Sequence, residues 1–204
     1  TRDITVDVRD GDGLHFEAGA LEDLAVDNVA PLLVLDKMAA IDENGIATLT
    51  GTIIDPGVLD TFVLLVTWGD GQTTQHQLPA AAGSQGFTLT HQYLDDDPSG
   101  TGADVYTVSG SVTDKDGGKG SHATTVTVNN LAPEVVLDKV AAIDENGVAT
   151  LTGTIIDQGT LDTFTLLVNW GDPLSPQNEQ VFVYGAADGS QRFTLTHRYL
   201  DDNP

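Results

Sequence analysis

Residues 41–62 read "IDENGIATLTGTIIDPGVLDTF", and residues 143–164 read "IDENGVATLTGTIIDQGTLDTF". The repetition extends outward from this phrase: residues 30–70 align with 132–172 without a gap, 33 of the 41 positions being identical at an offset of 102. Twice 102 is 204, so these residues span two periods. The phase is displaced. "VYTVSGSVTDKDGG" at 105–118 is echoed by "TRDITVDVRDGDG" at 1–13, and "THQYLDDDP" at 90–98 returns as "THRYLDDNP" at 196–204.

Within the phrase the side chains alternate with the period of a β-strand. Ala47, Leu49, Gly51 and Ile53 fall on one face of residues 46–54, and Thr48, Thr50 and Thr52 on the other. "TFVLLVTW" at 61–68 is a nearly continuous apolar strand stopped by the turn Gly69-Asp70-Gly71. Phe87, Leu89, His91 and Tyr93 share a face, as do Tyr106, Val108, Gly110 and Val112, and "HATTVTV" closes the unit before the linker "NNLAP". About seven short strands per repeat, punctuated by Gly, Asp, Asn and Pro, predict an all-β protein of tandem Ig-like β-sandwiches.

The ordered set Trp68-Gly69-Asp70-Gly71, His91-x-Tyr93, Tyr106-x-Val108 and Val112-x-Asp114, followed by a Gly pair, resembles the PKD (polycystic kidney disease) repeat family. The set covers essentially the whole repeat. The second copy departs from it at Gly171-Asp172-Pro173 and takes four more residues to reach His197, so its turn after Trp170 is expected to differ. The resemblance implies an extracellular β-sandwich used as a spacer, adhesive or assembly module, and no catalysis. It divides the chain into residues 1–29, the last two strands of a preceding or partner repeat; 30–131, a complete PKD-like sandwich; and 132–204, a sandwich lacking its last two strands. Neither end fragment closes a core alone, so each is expected to pair with another repeat. Covalent tandem neighbours would do this, and so would β-strand complementation between separate subunits. Either produces a head-to-tail filament, the partners being other copies of the chain or neighbouring repeats.

Composition narrows the functional classes. With 31 acidic against 8 basic residues the net charge is −23, which repels nucleic acid and anionic lipid and favours cations as small partners. There is no cysteine, excluding a disulfide scaffold, and no apolar run long enough for membrane insertion. No signal peptide is legible, so an export signal is expected outside these residues. The sequence holds no Gly-x-Ser-x-Gly elbow, His-Glu-x-x-His or phosphate-binding loop, and the chain is expected not to be an enzyme.

In an Ig-like sandwich the acidic loops fall at the two ends. The loop with Asp42 and Glu43, the turn with Asp70, the loop with Asp95, Asp96 and Asp97, and the linker residue Asn130 share the C-terminal end; the next repeat brings Asp157 and Asp162 to the same junction. Asp27, Asn28, Asp55, Asp60, Asp114 and Asp116 form a second candidate group at the N-terminal end. Clusters of hard oxygen ligands suit Ca2+, and the placement resembles the junctional calcium sites of cadherin-type repeats. The same segments have plainer readings. "DENG" fits a hairpin turn with Asn44 and Gly45 at positive φ, "DKDGG" fits another, and "DDDP" fits a solvated charge run. His91 and His197 read as core histidines, and Trp68 and Trp170 as core anchors.

The function expected from these features is that of a structural repeat in an extracellular or cell-surface filament or giant adhesin, its junctions rigidified by calcium. The alternative is a carbohydrate- or protein-binding pair of accessory domains from a secreted hydrolase. Exposed aromatic rings would favour that alternative.

Overall fold

A computed structural model describes residues 2–9, 11–12, 15–81, 83–96, 99–186 and 189–201, with the backbone alone for 2–9 and 15–23. Every regular element in it is a strand. β1 (Arg2–Arg9) and β2 (His15–Leu24) form an antiparallel pair.

The next unit is a two-layer sandwich. β3 (Leu32–Leu35), β5 (Ile46–Asp55) and β8 (Gly83–Gln92) make one sheet, all antiparallel. The facing sheet has the order β4-β10-β9-β6-β7, from β4 (Ile41–Asp42), β6 (Phe62–Thr67), β7 (Thr73–Leu78), β9 (Ala103–Asp114) and β10 (Lys119–Asn129). The alternation seen in the sequence places Leu33, Leu35, Ala47, Leu49, Ile53 and Phe87 of the first sheet against Leu64, Val66, Val108, Val112, Val126 and Val128 of the second, all buried. Gly51 is required by this packing, because a Cβ there would lie 2.5 Å from the Val34 carbonyl oxygen and 2.7 Å from Cζ of Phe87. The bulk of Phe87 fills the space a larger residue would take, and Gly153 with Phe193 repeats the arrangement.

Two details differ from the sequence reading. "DENG" is not a hairpin: β4 pairs in parallel with β10, whereas β5 lies in the opposite sheet, so the turn crosses between layers. Asn44 alone takes positive φ, at 57°; Gly45 is required instead by close approach, a Cβ there falling 2.5 Å from the Asp42 carbonyl oxygen. The second detail is β6, whose apolar run is buried on one face only, Val63 and Leu65 being exposed. "DKDGG" is the tight β9–β10 turn, with Gly117 at φ 92°.

Trp68 is the buried anchor the sequence suggested, and Tyr93 donates a hydrogen bond of 2.7 Å to its carbonyl oxygen. His91 stacks on the Trp68 ring, with Nε2 2.6 Å from Oδ2 of Asp70. Trp170, His197, Asp172 and Tyr199 repeat this set, with Tyr199 donating to the Trp170 carbonyl at 2.6 Å.

Beyond the linker, β11 (Glu134–Leu137), β12 (Val148–Ile156) and β15 (Ser190–Arg198) form a three-stranded sheet, and β13 (Phe164–Asn169) pairs with β14 (Glu179–Tyr184). Its inner face is more open than that of the first sandwich. Leu35, packed beside β9, is 5% exposed, and its counterpart Leu137 is 58% exposed. A cavity of about 490 Å3 opens between the layers, lined by Leu137, Leu151, Leu166 and Phe193 among others.

Candidate metal centre at the repeat junction

The site is built around Glu43. β4 is only two residues long and is held by parallel pairing with the end of β10, Ile41 opposite Val128 and Asp42 opposite Asn129. The Glu43 amide continues this pairing by donating to the Asn129 carbonyl at 2.9 Å. Because successive side chains of an extended segment point to opposite sides, Asp42 stays exposed and Glu43 turns inward, to 0% exposure. There its Oε1 accepts a hydrogen bond of 2.6 Å from the Leu131 amide of the inter-repeat linker.

Two loops complete the centre. The loop after β8 brings Asp95 and Asp96, both buried, and the loop between β12 and β13 of the next repeat brings Asp157 and Asp162. In the latter, Asp157 Oδ1 accepts from the Gly159 amide at 3.1 Å, an Asx turn that leaves Oδ2 pointing elsewhere. The loops of the two repeats also touch through their backbones, the Thr160 amide donating to the Leu94 carbonyl at 3.1 Å. Glu43, Asp95 and Asp96 can each offer a carboxylate oxygen within 4.8 Å of the others, and so can Glu43, Asp157 and Asp162.

A Cβ built on Gly159 would lie 2.3 Å from Glu43 Oε2 and 2.6 Å from Asp162 Oδ2. Both carboxylates therefore point into the space that the glycine leaves. Glu43 Oε2, Asp96 Oδ2 and Asp157 Oδ2 are buried without a hydrogen-bond partner. Burial first, and then the charges of Asp162, Asp157 and Asp95, push the Glu43 carboxyl up to about 7 against the lowering effect of the Leu131 amide. Asp96 is raised as well, by burial and then by Asp95 and Asp104. Such a cluster is unstable to its own repulsion and could be neutralised by a metal ion.

A third group lies at the other end of the first sandwich. Asp55 and Asp60, one period before Asp157 and Asp162, come within 4.8 Å of Asp114. Here the protein supplies its own donors. Asp114 accepts from Asn28 Nδ2 at 2.9 Å and from the amides of Asp116 and Gly118; Asp55 accepts from the Gly57 amide at 2.6 Å; and Lys115 Nζ lies 2.8 Å from Asp60 Oδ1. Burial alone would raise the Asp114 carboxyl, but the hydrogen bonds from Asn28 and the backbone outweigh it and hold it below the usual value. Asp55 Oδ2 is buried without a partner.

The remaining candidates lie apart from these three groups. Asp70 faces His91 and the Gln72 amide; Asp42 accepts from Asn129 Nδ2 at 3.3 Å; Asp27 and Asn130 are exposed; and exposed Asp116 pairs with Lys115. Asp97 lies outside the described residues. Sequence reasoning did not single out Gly57 and Gly159, Lys115 or the Leu131 amide. The repeated spacing Asp-x-Gly-x-x-Asp at 55–60 and 157–162 was the available signal for the glycines.

No protein-family model and no curated protein matches the chain. Among solved structures it is similar to the PKD domain of an M14-like peptidase from Thermoplasmatales archaeon SCGC AB-540-F20, at 21% identity and a TM-score of 0.39, over 50% of this chain and 97% of that one. It is also similar to a tetra-tandem repeat in the extending region of a large adhesion protein, at 21% identity and a TM-score of 0.44, over 94% of this chain. The chain spans 47% of that structure. Among the described residues no helix is long and apolar enough to cross a membrane.

Proposed function

We propose that the chain is a structural repeat module of an extracellular filament or giant surface adhesin, its repeats set head to tail by tandem linkage or β-strand complementation and its junctions stiffened by Ca2+. The observation that carries this reading is the joint itself. The linker amide of Leu131 is clamped by Glu43, and carboxylates of two successive repeats converge on one small volume. A flexible tether between independent domains needs neither feature. Calcium suits the donor set, which is all carboxylate, loop-borne and irregular, whereas zinc or copper would favour nitrogen or sulfur ligands.

In this role the protein holds and spaces, and performs no catalysis. The accessory-domain alternative would be favoured by aromatic rings on an outer face. Among the described side chains the exposed large apolar residues are all aliphatic. Electron microscopy of the native material, before and after chelation, tests the proposal. Beaded fibres that loosen on chelation are expected; discrete small particles in both conditions would overturn it.

A further inference from the structure

We infer that the repeat junction holds two cations that share Glu43, one bound wholly within a repeat by Glu43, Asp95 and Asp96 and the other spanning the joint through Glu43, Asp157 and Asp162. This inference rests on the reading of the joint as a cation-stiffened link and specifies how the link is made.

The two carboxylate groups have one member in common, and they receive their remaining ligands from different repeats. Acidity alone would not establish a site, since acidic loops are common on a chain of this charge. Three partnerless oxygens do point to one. Glu43, Asp96 and Asp157 are 0, 5 and 7% exposed, and each keeps one carboxylate oxygen without a hydrogen-bond partner. One of these belongs to the shared ligand and one to each group, so each of two ions would meet an unmatched oxygen of its own beside the shared one. Native proteins rarely leave buried acceptors unmet, and an unmodified acceptor of this kind is where a cation, absent from the donor list of the polypeptide, completes the valence.

The third group provides an internal comparison. Asp55 and Asp60 occupy the positions of Asp157 and Asp162 one period earlier, yet there a lysine ammonium reaches Asp60 and an asparagine amide reaches Asp114, so that Asp55 Oδ2 is the single buried carboxylate oxygen of that group without a partner, against three at the Glu43 centre. At the Glu43 centre, the Leu131 amide occupies Oε1 and leaves Oε2 facing the glycine cradle beside Asp162. A carboxylate can bridge two calcium ions through its two oxygens or through one, and calcium fills its six to eight positions with carbonyl groups and water as needed. Five carboxylates against two divalent ions also leave the centre close to neutral.

The arrangement imposes an order. The ion held by Glu43, Asp95 and Asp96 needs no neighbouring repeat, and once bound it fixes Glu43 in place to receive the second. The second ion then ties the Asp157–Asp162 loop to the preceding sandwich.

Native mass spectrometry of the whole 204-residue chain in calcium counts the ions, with the unaltered protein as reference. Relative to it, Asp157→Asn with Asp162→Asn is expected to lose one ion, Asp95→Asn with Asp96→Asn to lose at least one, and Glu43→Gln to lose two. Unchanged circular dichroism would show that the strands persist in each variant. As a second measurement, terbium and europium loaded together should show energy transfer that disappears in the Asp157/Asp162 variant. Loss of a single ion in Glu43→Gln, equal counts in every variant, or absence of energy transfer in the unaltered chain would overturn the shared site. Small-angle scattering on the same samples separates this from the broader proposal. Two ions without any change in shape on chelation would leave the shared site standing and refute stiffening, and stiffening by one ion would do the reverse.

Discussion

Replacing Glu43 by glutamine removes a buried charge while keeping nearly the same shape, and the structure fixes both the sign and the size of the effect in the absence of metal. The Glu43 carboxyl is raised from 4.5 to about 7 on folding. A raised carboxyl contributes stability that is fully present below the unfolded value and is lost as pH climbs through the folded one, so the loss runs from about pH 4.5 to 7. At 1.36 kcal/mol per pH unit the ionised group costs about 3 kcal/mol above that window. The glutamine variant escapes this penalty, which is already net of the charge-assisted bond from the Leu131 amide. Glu43→Gln is therefore expected to raise the stability of the first repeat by about 3 kcal/mol at pH 8 in chelator, and to change it little at pH 4. In calcium the order should invert, because the variant loses a shared ligand. Urea unfolding of both proteins in a Trp170→Phe background, followed by the fluorescence of Trp68, at both pH values and with calcium or chelator, reads all of these terms. A variant less stable than the unaltered chain at pH 8 in chelator would refute the claim that Glu43 is held ionised at a cost.

Other substitutions probe the cradle and the core. Gly159→Ala places a methyl group 2.3 Å from Glu43 Oε2, and should abolish the calcium-dependent change in small-angle scattering while both sandwiches stay folded by circular dichroism. Tyr93→Phe strands the buried Trp68 carbonyl and should cost the first repeat about 1–3 kcal/mol in urea unfolding. Gly51→Ala crowds both the Val34 carbonyl and the Phe87 ring, and should cost about 1–3 kcal/mol by the same assay. Phe87→Ala, which empties the space above Gly51, should be worse, at about 3–5 kcal/mol.

The sequence by itself determined what depends on neighbours along the chain. The period of 102, the alternation in residues 46–54 that buries Ala47, Leu49 and Ile53, and the turn around Asp70 are all local, since side-chain direction in a strand reverses at every residue. It also brought the acidic loops to two ends of a sandwich, because strand direction alone decides that. β7 escaped notice because "TTQHQL" carries a single buried apolar residue, Leu78, and an edge strand can be held by backbone pairing to β6 without a hydrophobic stripe. Tertiary structure decided the rest. Only the long-range parallel pairing of β4 with β10 determines that Glu43 is buried and Asp42 exposed, two adjacent acids with opposite fates. Only packing shows that Asp60 meets a lysine where Asp157 and Asp162 meet a buried glutamate, although both loops sit in nearly identical phrases. The chemistry of a carboxylate depends on what faces it in space, and the facing residues here come from segments roughly ninety residues apart or from the adjoining repeat.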